Sequence, residues 1–176
     1  MVVTGCRPKG RNIEQHDIFF GIGTRLKDLI PAIKRSWGDG TVHIDSWREV
    51  CFVNGYKVLI APKGTTPSPG IDDTARKLYF INLGGYKPDD MEEYHYKIVV
   101  AAADKGEAVR MSKQTAFYIH TGFKGATSHV DDKYGIDVDD TYEIEDLLSE
   151  QDKAMYCINL APGEGTDELH IGYLKL

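Results

Sequence analysis

The sequence predicts an α+β fold: two tandem ββαββ repeats with mainly antiparallel sheets, each helix covering one sheet face, and a C-terminal β-hairpin. Two observations predict it. First, Glu-x-His stands before an apolar strand three times, in IEQHDIFF (13–20), EEYHYKIVV (92–100) and DELHIGYLKL (167–176). Second, His43-Ile44-Asp45 returns as His129-Val130-Asp131 at an offset of 86, which lays Tyr56 on Tyr142 and Val58 on Ile144 without a gap. Glu14-x-His16 and Glu93-x-His95 are offset by 79. The seven extra residues fall where both copies read as helix. Seven residues are about two helical turns, so the insertion nearly keeps the buried face.

The elements follow in order. The first strand is short, MVV, and leads through the Gly/Pro loop GCRPKGRN to the strand HDIFFGI. A helix follows, with Leu26, Leu29, Ile30, Ile33 and Trp37 as its apolar stripe. Pro31 fits that helix in its first turn, where a missing N–H costs little. HIDSWREV and GYKVLIA then read as a hairpin around Val53-Asn54-Gly55, because Asn-Gly is a strong turn signal. These elements make repeat 1, residues 1–61. Residues 62–76 hold three prolines and no apolar periodicity, and read as a linker.

Repeat 2, residues 77–148, opens with LYFINL, the loop GGYKPDD and the strand HYKIVVAA. Its helix carries a capping-box pattern, Asp104 with Glu107, before Ala108, Met111, Thr115 and Ile119. HVDDKYGI and TYEI read as a hairpin around Asp139-Asp140. Residues 154–176 form a partial third repeat, in which MYCINL echoes LYFINL. An isolated hairpin is barely stable. It is therefore expected to complete a sheet in this chain or in a second copy, which makes a homodimer the expected assembly.

Composition narrows the function. The sequence shows no apolar run of transmembrane length, and its first residues do not show the charged, apolar and small-residue order expected of a signal peptide. Cys6, Cys51 and Cys157 are odd in number and make no CxxC pair, which points to a reducing, cytoplasmic setting. Residues 1–76 carry eleven Lys+Arg against eight Asp+Glu, and residues 77–176 carry ten against nineteen. The basic side chains are scattered rather than gathered on one face, which argues against nucleic acid.

Residues i and i+2 of a strand share a face, roughly 6.6 Å apart. If the two motifs of a repeat meet, repeat 1 assembles Glu14, His16, His43 and Asp45, and repeat 2 assembles Glu93, His95, His129 and Asp131. Glu168 and His170 stay as a lone pair. Two histidines and a carboxylate can hold zinc or non-haem iron with positions left open. A His–Asp pair can also orient a general base. Three points favour a structural network instead. Carboxylate–imidazole contacts also tie strand ends together. Both repeats keep all four residues, and the fragment keeps its Glu-x-His. The His16 face continues as Ile18, Phe20 and Ile22, a core face. The sequence therefore favours a non-enzymatic small-ligand-binding or assembly module with no favoured cofactor. A metal-binding protein or metal-dependent enzyme built on the quartets is the alternative. Gly21-x-Gly23 lacks the third glycine and lysine of a phosphate loop and reads as a turn. His120 reads as a contact with a helix C-terminus. Trp37 and Trp47 read as core or interface.

The run CRPKGRNIEQHDIFFGIG, with LKDLIPAIKRSW and HIDSWREV, resembles a bacterial family, domain of unknown function 1543. The likeness is looser in repeat 2, at YFINLGGYKPDD, EEYH and SHVDDKYGIDV. That family is a short domain present in one or two copies. The resemblance implies a bacterial, cytoplasmic tandem-domain protein and no particular reaction, cofactor or residue role.

Overall fold

A computed structural model describes residues 1–38, 40–65, 76–86, 89, 91–115 and 137–176. The fold is α+β, with antiparallel pairing between neighbouring strands throughout these residues. The first sheet has the order β10-β3-β1-β2, from β1 (Val2–Cys6), β2 (Gln15–Phe19), β3 (Val42–Trp47) and β10 (His170–Lys175). The second has the order β4-β5-β9, from β4 (Phe52–Val53), β5 (Tyr56–Pro62) and β9 (Tyr156–Pro162). The third has the order β7-β6-β8, from β6 (Lys77–Tyr86), β7 (Glu93–Ala102) and β8 (Asp137–Glu143).

Helix α1 (Leu26–Trp37) lays Leu26, Leu29, Ile33 and Trp37 on the first sheet, around buried Val2, Cys6, Val42 and Ile44. Pro31 falls at the sixth helical residue, not in the first turn. Its ring denies Lys27 the usual hydrogen bond, and the apolar stripe carries the helix through it. Helix α2 (Lys105–Thr115) begins with the expected capping box. Glu107 N donates to Asp104 Oδ1 at 2.7 Å, and Ala103 N donates to Glu107 Oε2 at 2.7 Å.

Strand β6 explains the run LYFINL. Tyr79, Ile81 and Leu83 face the α2 side, while Leu78 and Phe80 face a central core. Both faces are buried, so the run is apolar without alternation. In the central core, Phe20, Val53, Phe80, Val99, Ile144 and Leu160 bring the three sheets together.

Three expected hairpins need correction. The Asn54-Gly55 turn is present, with φ of 49° and 80°, but it joins β5 to the two-residue β4. β3 belongs to the first sheet, where β1 and β10 saturate both its edges. Asp139 and Asp140 lie inside β8 rather than in a turn, because β6 offers that segment a continuous partner. The C-terminal hairpin opens into two strands in different sheets: β9 pairs with β5 and β10 with β3. Each finds its partner within the chain. Between β8 and β9 lie two short helices that periodicity does not reveal, α3 (Ile144–Leu147) and α4 (Glu150–Met155). The signal for α4 was local: Ser149 Oγ accepts from Asp152 N at 3.1 Å, a capping pattern.

Candidate metal centre

The site is built around a residue without a side chain. Gly5 of β1 lies opposite His16 on β2 and opposite His43 on β3. Adjacent strands run about 4.8 Å apart, so side chains two strands apart meet only if the residue between leaves room. A Cβ on Gly5 would strike the His43 ring and come within 3.1 Å of His16 Cδ2. With glycine there, the two imidazoles close to 6.3 Å between ring centroids, edge to face.

Asp45 arrives through a β-bulge. Thr4 pairs with Ile44 and Val3 with Ser46, so Asp45 is the extra residue in β3. A bulge bends its strand and re-aims a side chain. Glu14 enters from the loop just before β2.

The four side chains close a ring in which carboxylate and imidazole alternate. His16 Nε2 is 3.7 Å from Glu14 Oε2 and 3.4 Å from Asp45 Oδ2. His43 Nδ1 is 3.5 Å from Glu14 Oε1, and its Nε2 is 3.2 Å from Asp45 Oδ1. None of these approaches has hydrogen-bond geometry, and Asp45 Oδ2 is buried without a hydrogen-bond partner among the described residues. Glu14, His16 and His43 each offer a donor atom within 4.8 Å of the other two. The site therefore joins a 2 %-exposed His43 to half-exposed His16 and Glu14, a buried anchor with an open side. From above, Tyr173 of β10 stacks on His43, with centroids 4.5 Å apart.

The remaining candidates divide. His95 lies opposite Gly84, as His16 lies opposite Gly5, and its Nε2 is 3.8 Å from Glu93 Oε2. On the other side of Gly84 stands Asp137, and β8 has its register shift at the place corresponding to the bulge in β3. In register, Asp137-Val138-Asp139 of β8 stands beside β6 as His43-Ile44-Asp45 of β3 stands beside β1. His129 and Asp131, like His120, Ile119 and residues 66–75 of the linker, lie outside the described residues. Glu168 and His170 form a pair at 3.8 Å at the far end of β3, where His170 stacks on Trp47 at 3.9 Å. That pair does not join the quartet.

Sequence reasoning missed Gly5 and Tyr173. Nothing along the chain marks a glycine as the gap between two strands distant in sequence, and Tyr173 reaches His43 only once β10 pairs with β3. Burial, with the charges of Asp167 and Glu49, pushes the Cys51 thiol up, as an unreactive thiol should be. No helix among the described residues is long and apolar enough to cross a membrane.

Comparison with known proteins sets this site in a family context. Residues 11–60, which carry Glu14, His16, His43 and Asp45, match the family described as Domain of Unknown Function (DUF1543). No curated protein is matched. Among solved structures, the chain is similar to the crystal structure of protein Il1583 from Idiomarina loihiensis. The two are 23% identical, with 99% of this chain and 94% of that chain covered and a TM-score of 0.61. That likeness shows the fold.

Proposed function

We propose that the protein is a small-ligand-binding module whose ligand is a divalent transition-metal ion, held by Glu14, His16 and His43. The observation that carries this reading is the convergence of one carboxylate and two imidazoles within 4.8 Å. Zinc bonds of about 2.0–2.1 Å to nitrogen and oxygen place tetrahedral donors roughly 3.3 Å apart, so donors within 4.8 Å of one another need to close by at most about 1.5 Å. His43 has a carboxylate on each ring nitrogen. If Nδ1 takes the metal, Asp45 on Nε2 fixes the ring and raises its basicity, as outer carboxylates do in metal–imidazole sites. Zinc and non-haem iron both suit this donor set.

The structural reading, in which the ring only ties strand ends together, predicts well-formed carboxylate–imidazole hydrogen bonds. Their absence here, and the buried unpaired oxygen of Asp45, favour a cation among the four. The shared strand orders β2-β1-β3 and β7-β6-β8 support reading the third sheet as a diverged duplicate, with Asp137 where the first sheet has His43.

Elemental analysis of untagged protein purified without chelator tests the proposal. About one equivalent of zinc or iron per chain is expected, and it should be lost in His16→Ala. His16 is half-exposed, so this variant removes a ligand without opening the core. Protein that stays metal-free after zinc loading and dialysis would refute the reading.

A further inference from the structure

We propose that this metal site takes a small oxyanion as its exogenous ligand, bridged between the metal and Arg7; the inference rests on the metal reading above. Beside the quartet opens a cleft of about 410 Å³, lined by Arg7, Glu14, Thr41, His43 and Tyr173. It carries one cation, two hydroxyl groups and two members of the quartet, and no aliphatic side chain. Arg7 leaves β1 two residues after Gly5 and is exposed. Among the described residues it makes no ion pair or hydrogen bond. Tyr173 stacks on His43, lines the cleft and is 68% exposed.

Charge selects the ligand class. A divalent ion is balanced by Glu14 and Asp45, so the loaded quartet is near neutral. An anionic ligand on the metal then needs its own counter-charge, and Arg7 supplies it. A neutral or cationic ligand would gain nothing from Arg7. The guanidinium fork matches carboxylate and phosphate oxygens in paired hydrogen bonds. Thr41 and Tyr173 add hydroxyl donors, and a site with three protein ligands leaves the metal a free position. Lys9 and Arg11, exposed in the same loop, raise the local anion concentration.

The shared chemistry is a compact oxyanion, carboxylate or phosphate. The test loads the full chain with cobalt(II), reads cobalt content, and titrates inorganic phosphate in one arm and acetate in the other, following the visible cobalt spectrum. A saturable spectral change is expected in at least one arm, and the tighter arm names the source. In Arg7→Gln that affinity should fall about tenfold or more at unchanged cobalt content, since one charge-assisted contact of ~1.5 kcal/mol is about a factor of ten. Arg11→Gln should weaken binding far less. Stoichiometric cobalt with no response to either anion overturns this inference and leaves the metal site standing. So does an Arg7→Gln protein that binds as well as the parent. A chain that takes up no cobalt overturns both, and the content reading separates the cases.

Discussion

A Cβ on Gly5 would sit against a His43 ring that is 2 % exposed and has nowhere to retreat. Gly5 does not need a left-handed backbone, so alanine there is a purely steric probe. Gly5→Ala should lower stability by about 1–3 kcal/mol, the usual range for overpacking. It should also cut metal affinity at least about tenfold by parting the two imidazoles. Urea denaturation and metal titration on the same variant check both; an unchanged metal affinity would mean the rings do not act together. The same residue shows what was legible in the chain. The Glu-x-His and His-x-Asp pairs could be read directly as motifs, although Glu14 stands in the loop before β2 and Asp45 at a bulge, so the two-residue strand period does not by itself place them. That Glu14 and His16 meet His43 and Asp45 could not, because it depends on β1 lying between β2 and β3 and on glycine at the crossing. The bulge that delivers Asp45 is likewise a property of pairing, not of local sequence.

Among the elements, the segment that leads into β10 is held by one carboxylate. Asp167 Oδ1 accepts from the backbone N–H of Cys51 and of Phe52, each at 3.0 Å, and Arg48 Nη1 lies 3.6 Å from Oδ2. The side chain is 2 % exposed, so this clamp fixes β4 to the chain just before β10. Asp167→Ala strands two backbone donors and an arginine and should cost about 2–4 kcal/mol. Asp167→Asn keeps one acceptor oxygen and should cost clearly less. Chemical denaturation orders the two; equal losses would mean the charge pair, not the backbone bonds, sets the clamp. Metal content should be unchanged in both, because the clamp lies away from the quartet. No periodicity flagged Asp167, whose partners are over a hundred residues away. The two longer helices, α1 and α2, and most strands were legible because their signals are local: the α1 stripe, the Asp104–Glu107 box and the Asn54-Gly55 turn. The fate of β9 and β10 was not, since a hairpin and two separate edge strands share one apolar pattern.

At the scale of the whole molecule, residues 156–176 join what residues 1–62 begin. β9 is the long partner of β5, and without it the second sheet would be β5 beside a two-residue β4, too little to persist in water. Leu160 of β9 is buried in the central core shared by all three sheets. β10 covers the outer edge of β3 and sets Tyr173 on His43. Two truncations separate these contributions. A chain ending at Asp167 loses β10 but keeps β9 and the carboxylate that clamps Cys51 and Phe52. It should stay folded, with the first sheet reduced to β3-β1-β2, and bind metal more weakly because His43 loses its cover. A chain ending at Met155 loses both strands. Its amides over 56–62 should lose exchange protection, and the central core should loosen with them, since removing a buried leucine side chain alone costs about 2–5 kcal/mol. Hydrogen exchange followed by mass spectrometry reads each sheet separately. Protection over 56–62 that survives in the shorter chain would show that the first sixty residues fold without their C-terminal strands, and that β9 is an addition to a sheet already stable.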